Sequence, residues 1–152
     1  MKSLIQTSLG AACMLFALSS GVHAQETPIS NSTLETCEGF LVDTGLSAAD
    51  YGSNEDITMT ICPEAPETII TLYFALASIG EGDMLQIYDG TDTSGPLLGT
   101  YIEFDAQGLE IFATEDNLSG CLTLHWTSDA QGSGNFVAEM SCGYPCDRPF
   151  AI

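Results

Sequence analysis

The stretch CLTLHWT, residues 121–127, carries the pattern that decides the fold of this chain. Leu122, Leu124 and Trp126 alternate with polar residues, and this two-residue period is typical of a β-strand with one buried face. The same alternation recurs in residues 57–61, 70–76 and 136–140. In residues 70–76 it predicts that every second side chain, up to and including Leu76, points into the core.

Shorter β-rich runs lie at residues 40–42, 84–88, 97–102 and 109–113, and clusters of Gly, Asp, Asn and Ser separate the runs. No segment after residue 24 shows the 3.6-residue period of an amphipathic helix. About eight short strands at this spacing predict a single all-β domain, an antiparallel sandwich or barrel.

The first 24 residues have the character of a secretory signal peptide. Lys2 precedes an apolar stretch, and Val22-His23-Ala24 fits a signal-peptidase site. The stretch is too short and too interrupted for a membrane anchor, which needs about 20 apolar residues. We therefore expect an extracellular or cell-surface protein. Residues 25–36 are polar and unpatterned, which predicts a flexible leader before the folded domain.

The charge of the chain excludes several classes of partner. The sequence holds 21 acidic and two basic residues, and only Arg148 remains after removal of the signal peptide. Nucleic acids and anionic membranes require basic patches, so we expect neither as a partner and no membrane insertion. The acidity suits divalent cations, basic proteins or a salty medium, although solubility alone explains most of it.

The cysteines predict disulfides rather than a metal site. Five of the six cysteines lie beyond the signal peptide, none in a CxxC spacing, and His125 is the only histidine there. The odd number leaves one cysteine without a partner. Cys146 lies close to Cys142, so we expect it to pair beyond Ile152, with residues 143–152 starting a linker or another domain.

No catalytic constellation is visible. His125 is the only candidate base for a Ser-His-Asp arrangement, and its place on an alternating strand predicts a solvent-facing side chain. The segment beginning at Asp89 superficially resembles a calcium loop but lacks the glutamate of the EF-hand pattern, which favours a turn. The sequence therefore predicts a protein that is not an enzyme.

Three motifs together resemble a CUB domain. They are YGSNE with TMTICP (residues 51–63), DMLQIYDG (residues 83–90) and GCLTLHWTSD (residues 120–129). The resemblance covers residues 37–142, and the version with ICP and GCLTL is similar to CUB domains in secreted or surface proteins of gliding bacteria of the Bacteroidetes type. It implies a disulfide-bridged antiparallel jelly-roll β-sandwich that serves as an extracellular recognition module, often with a calcium ion that shapes the loops at one end.

The resemblance also implies specific site residues and bridges. Asp83 and Asp129 occupy positions of family calcium ligands. The family's glutamate is missing near Gly80, so Glu81 or Glu55 would supply a further oxygen to calcium. The family's first cysteine pair corresponds to Cys37 and Cys62, which leaves Cys121 and Cys142 for a second bridge.

The expected function is that of a non-catalytic recognition or adhesion module of a larger secreted protein, with calcium as cofactor and a protein or carbohydrate at the cell surface as ligand. The alternative is an accessory domain of an exported hydrolase, a metalloprotease, whose catalytic domain lies outside this chain. A third hypothesis is a stand-alone structural surface protein. An H-E-x-x-H helix downstream of Ile152 would favour the hydrolase.

Overall fold

A computed structural model describes residues 25–131 and 133–145. These residues form ten strands. The strands are β1 (Glu26–Pro28), β2 (Ser32–Glu35), β3 (Phe40–Val42), β4 (Asp56–Cys62), β5 (Ile69–Ser78), β6 (Met84–Asp89), β7 (Leu97–Tyr101), β8 (Glu110–Phe112), β9 (Leu122–Thr127) and β10 (Asn135–Gly143). A short 3₁₀ turn spans Leu46–Ala48.

The strands form two five-stranded sheets. The first sheet has the order β1-β3-β10-β5-β8 and the second has the order β2-β4-β9-β6-β7. Pairings from β3 onward are antiparallel, whereas β1 and β2 each add a parallel edge strand. This arrangement confirms the predicted all-β sandwich. A strand with alternating side chains has one apolar face, and it buries that face by packing against a second sheet.

The core lies between the two sheets. Leu122, Leu124 and Trp126 of β9 are fully buried, as their alternation predicts. The ring of Trp126 packs edge-on against that of Phe136 in β10, with 5.3 Å between ring centroids, so a side chain from each sheet meets at this point. The aromatic contact therefore joins the two layers of the sandwich.

A β-bulge changes the predicted alternation in β5. Ala138 of β10 pairs with Phe74, but the preceding Val137 pairs with Leu76, so Ala75 is an extra residue. After this residue the faces exchange: Ala77 is buried, whereas Leu76 is 36% exposed. The prediction that Leu76 points into the core is wrong, because a one-residue insertion moves the following side chains to the other face.

The prediction of a flexible leader at residues 25–36 is also wrong. This segment supplies β1 to the first sheet and β2 to the second, and Ile29 between them is buried. A strand with few apolar residues can still be ordered at a sheet edge, because main-chain hydrogen bonds to β3 and β4 hold it.

The disulfide pairing implied by the family resemblance is wrong, although all four cysteines are bridged. Cys37 is bonded to Cys142 and Cys62 to Cys121. Cys62 ends β4 and Cys121 immediately precedes β9, its antiparallel neighbour, which places their Cα atoms 4.2 Å apart. Cys142 lies in β10 of the first sheet, whereas Cys121 directly precedes β9 of the second sheet. The predicted partners are therefore not on neighbouring strands.

The predicted signal peptide, and Cys146 with the residues after it, lie outside the described residues. The predicted start of a linker at residue 143 overlaps the end of β10, which reaches Gly143. Residues 25–131 and 133–145 contain no helix with the length and apolar character of a membrane span.

Candidate functional site

Three connections meet at one end of the sandwich, here called the loop end. They are residues 43–55 between β3 and β4, residues 79–83 between β5 and β6, and residues 128–134 between β9 and β10. Main-chain hydrogen bonds join the first connection to the third, from Tyr51 to Gly134 at 3.1 Å and from Asn54 to Asp129 at 2.6 Å. The loop end is therefore a set of mutually bonded turns.

Asp83 lies at the centre of the loop end, and its side chain is buried. One carboxylate oxygen, Oδ2, accepts a hydrogen bond of 2.5 Å from the hydroxyl of Tyr51. The other, Oδ1, accepts one of 2.7 Å from the main-chain N–H of Asp129. A buried charge needs such partners, so Asp83 ties all three connections together.

The hydroxyl of Tyr51 also accepts a hydrogen bond of 2.7 Å from the main-chain N–H of Gly80. The carbonyl oxygen of Ser133 lies 3.0 Å from the same hydroxyl, but the single hydroxyl proton is best placed for the shorter bond to Asp83. Burial first, and then the hydrogen bond and negative charge of Asp83, raise the pKa of Tyr51 far above its usual value. The phenol therefore remains protonated and donates to Asp83.

Asp129 lies beside the same turn. Its Oδ1 accepts a hydrogen bond of 2.7 Å from the main-chain N–H of Gln131. Its Oδ2 faces Gly82, where a Cβ atom would lie 2.8 Å from the oxygen. Gly82 has a φ of +92°, so glycine is required both for the backbone conformation and for the close approach of the carboxylate.

The structure therefore brings together two of the three predicted metal ligands. Asp83 and Asp129 are joined by a hydrogen bond, and Glu81 lies on the same turn with an exposed side chain. In the parts of the chain that the structure describes, no group of three or more His, Cys, Asp or Glu side chains forms a metal-holding cluster. The hydrogen bond between the two residues runs from the main-chain N–H of Asp129 to the carboxylate of Asp83, so a calcium ion, which takes six to eight oxygens, would need further ligands here.

Glu55, the other predicted oxygen donor, has a different role. Its Oε2 accepts a hydrogen bond of 2.9 Å from Nε1 of Trp126, and its Oε1 accepts one of 2.5 Å from the hydroxyl of Thr44. A buried indole needs an acceptor for its N–H group. The alternation of residues 122–126 indicates that Trp126 is buried, and a buried indole implies that a polar side chain nearby accepts its hydrogen bond.

Asp43 is fully buried and was not identified in the sequence. Its Oδ2 accepts a hydrogen bond of 2.8 Å from the main-chain N–H of Phe136, and its Oδ1 accepts one of 2.7 Å from that of Gly45. Burial raises the pKa of the Asp43 carboxyl, and these two bonds oppose the shift without cancelling it. Asp43 directly follows the predicted run 40–42 and begins one of the polar clusters between runs; such a cluster indicates a turn but does not predict burial.

His125 lies on the outer face of the second sheet. Its Nε2 is 2.8 Å from Oδ1 of Asp56, and its Nδ1 is 3.4 Å from Oε1 of Gln86. Asp56 is largely exposed to solvent, so this pair lies at the surface. Both ring nitrogens contact these side chains rather than a hydroxyl or thiol, which is not the arrangement of a nucleophile with its base.

Asp89 lies at the opposite end of the sandwich, where it organises a turn. Its carboxylate accepts hydrogen bonds from the main-chain N–H of Thr114 at 3.1 Å, from the hydroxyl of Thr114 at 2.5 Å and from the amide of Asn117 at 2.6 Å. These bonds join β6 to the connection between β8 and β9. The observed arrangement agrees with a structural turn at Asp89.

Among the solved structures that are similar to this chain are two from vertebrate proteins. One is the full extracellular region of zebrafish Gpr126/Adgrg6, with a TM-score of 0.63 and 16% identity, covering 76% of this chain. The other contains the CUB1-EGF-CUB2 domains of rat MASP-1, with a TM-score of 0.58 and 16% identity, covering 77% of this chain. The fold of this chain is therefore CUB-like.

The chain spans 15% of the zebrafish chain and 43% of the rat chain, so each match concerns only part of the other protein. No protein-family model and no curated protein matches the sequence. At 16% identity the likeness concerns the fold alone, and the predicted relation to proteins of gliding bacteria stays a prediction.

Proposed function

We propose that this chain is a non-catalytic extracellular recognition module of a larger secreted protein, with a ligand-binding surface at the loop end. The observation that carries this proposal is the hydrogen-bonded centre formed by Tyr51, Asp83 and Asp129. It fixes three connections relative to one another on a rigid sandwich. Such preorganised loops suit recognition, because little conformational entropy is lost when a ligand binds.

The environment of His125 supports a non-catalytic role. General-base catalysis requires the imidazole to lie within hydrogen-bond reach of the group it activates. Here the contacts of the ring are with Asp56 and Gln86 at the sheet surface. The two disulfides and the similarity to extracellular regions of other proteins support an extracellular location.

We further propose that the loop end binds calcium with modest affinity. Asp83 and Asp129 would hold the ion, with exposed Glu81, main-chain carbonyls and water completing its shell. Bound calcium would offset the repulsion between the two carboxylates and would keep the turns in one arrangement. The proximity of the two aspartates supports this role, and the shortage of a third carboxylate argues for weak binding.

The recognition proposal is tested with the secreted chain on an array of purified glycans and of proteins with known sequence, in calcium and in chelator. We expect saturable binding to at least one ligand and no cleavage of casein. Binding to no member of the array would contradict recognition. Casein cleavage that disappears in a His125→Gln variant would contradict the non-catalytic role.

The gene sequence downstream of Ile152 distinguishes the adhesion module from the alternative, an accessory domain of an exported hydrolase. Repeated sandwich domains there would support adhesion. An H-E-x-x-H helix would support the hydrolase, since two histidines one helical turn apart can bind zinc. A stop codon directly after Ile152 would contradict both and favour a stand-alone surface protein.

A further inference from the structure

The register of the first sheet places five residues in one line across all its strands. Glu26 of β1 pairs with Phe40 of β3, Phe40 pairs with Glu139 of β10, Glu139 pairs with Tyr73 of β5, and Tyr73 pairs with Glu110 of β8. These five residues are here called the carboxylate-aromatic row. Carboxylates and aromatic rings alternate along it without interruption.

The row lies on the outer face of the sheet. The sequence neighbours Leu41, Leu72 and Ile111 point into the core, and successive side chains of a strand point to opposite faces. The three carboxylates of the row are exposed and Phe40 is half-buried. Tyr73 is 46% exposed, which is unusual for an aromatic ring in a central strand.

The described part of the chain supplies no permanent cation to this face, since residues 25–131 and 133–145 contain no lysine and no arginine. His125, the histidine within these residues, is paired with Asp56 on the second sheet. The row thus presents negative charge on both sides of each aromatic ring. The face of such a ring attracts cations, and flanking carboxylates strengthen the attraction.

The charge of the row selects among possible occupants. A second copy of this chain would set carboxylates against carboxylates, and the chain carries a formal net charge of −19. Anionic polymers are repelled for the same reason. A cationic polypeptide gains both an ammonium–ring contact and ion pairs at each position, so it is the occupant that the charges favour.

The spacing of the row further restricts the occupant. Neighbouring strands lie about 4.8 Å apart, so the two aromatic residues of the row, which have one strand between them, are separated by roughly 9.6 Å. A polyproline II helix rises about 3.1 Å per residue, which places every third side chain roughly 9.3 Å apart on one side. An extended β-strand repeats on one face about every 6.7 Å and fits the row less well.

We propose that the carboxylate-aromatic row is a docking surface for a basic, proline-rich segment in the polyproline II conformation, with Lys or Arg at every third residue. One cation lies over Tyr73 between Glu139 and Glu110, and the next lies over Phe40 between Glu26 and Glu139. The inference rests on the proposed role in recognition, to which it adds a second surface and the chemistry of a partner.

Two fluorescent peptides of equal composition test the spacing. One has four repeats of Lys-Pro-Pro, and the other has its four lysines together followed by its prolines. We expect the repeated peptide to bind the secreted chain at least about fivefold more tightly in fluorescence anisotropy, with affinity falling as ionic strength rises. Equal affinity for both peptides would overturn the proposal, because binding would then report net charge alone.

Matched variants test the location. Replacing the row's carboxylates (E26Q, E110Q and E139Q together) should weaken binding of the repeated peptide about tenfold or more. Replacing three exposed carboxylates elsewhere (E35Q, E64Q and E115Q together) removes the same charge and should change affinity by no more than about twofold. Equal losses in the two triple variants would overturn the assignment to the row.

Tyr73→Leu tests the ring. It keeps an apolar side chain and should weaken binding about two- to fivefold. Unchanged affinity would overturn the placement of a cation over Tyr73. If neither peptide binds while the secreted chain binds another ligand on the array, the docking surface fails and the recognition role stands. If nothing binds in either experiment, both fail.

Discussion

The hydroxyl of Tyr51 donates a 2.5 Å hydrogen bond to the buried carboxylate of Asp83 and so joins the β3–β4 connection to the turn between β5 and β6. Because the hydroxyl also accepts from the main-chain N–H of Gly80, it satisfies two groups at once. The first prediction tests how much this pair contributes to the stability of the loop end.

Tyr51→Phe should destabilise the protein by about 2–4 kcal/mol, because it leaves a buried carboxylate oxygen and a main-chain N–H without their partner. Chemical denaturation monitored by the fluorescence of Trp126 measures the change. Tyr73→Phe is the matched control: it removes a hydroxyl from a half-exposed ring and should change stability by less than about 0.5 kcal/mol. Equal effects of the two substitutions would contradict the role of Tyr51.

Calcium at a few millimolar should stabilise the protein by about 1–2 kcal/mol, assuming the dissociation constant of about 0.1–1 mM that is usual for extracellular modules. The melting temperature should rise by several degrees and return with chelator. Asp129→Asn should abolish the rise, whereas Glu64→Gln, which lies beyond the end of β4 that is remote from the loop end, should preserve it.

Asp83→Asn should also abolish the calcium response, but it should lower stability without calcium as well, because an amide cannot accept both hydrogen bonds of the carboxylate. Identical melting of the unsubstituted protein in calcium and in chelator, at fixed ionic strength, would show that the two aspartates are purely structural.

Asp43 should make a pH-dependent contribution to stability. Its pKa in the folded protein is raised, so the folded state holds its proton more tightly than the unfolded state, whose value is near 3.8. The contribution is therefore most favourable below that pH and is lost as pH rises through the raised pKa. The free energy of unfolding of the unsubstituted protein minus that of Asp43→Asn should decrease from pH 3 to pH 7 in denaturation experiments. An increase would contradict this sign.

Peptide mapping without reduction should recover Cys37 joined to Cys142 and Cys62 joined to Cys121. Their sequence separations of 105 and 59 residues imply that each bridge constrains a long loop, worth about 4–5 kcal/mol in the loop-entropy description. Replacing the pair Cys62 and Cys121 with alanine should lower stability by about that amount. A peptide joining Cys37 to Cys62 would contradict the structure.

The strands were predictable because alternation is a local property. The expected runs at 40–42, 84–88 and 122–126 lie within one residue of β3, β6 and β9. The strand predictions failed where a single inserted residue or a weak apolar pattern determined the structure. Nothing local marked Ala75 as the bulge of β5, and residues 25–36 lack an apolar face of their own, so only pairing with β3 and β4 orders them.

The candidate site was predictable only in part. The motif resemblance was sufficient to predict that Asp83 and Asp129 lie near each other. Asp83 lies in a turn that precedes one recognisable strand, and Asp129 lies in a turn that follows another. It did not reveal that Tyr51 completes the environment of Asp83 or that Asp43 is buried beneath the loop end. Each of these interactions joins residues at least 32 positions apart, and no local period records them.

The sequence by itself determined the alternation of each long strand, the turns between them and the acidity of the surface, since these follow from neighbouring residues and composition. Only the tertiary structure decided which strands are neighbours. That order pairs Cys62 with Cys121 rather than with Cys37, and it aligns Phe40, Glu139 and Tyr73 in one row. The physical reason is that strand order depends on how two complete sheets cover each other's apolar faces, a global requirement that no single segment expresses.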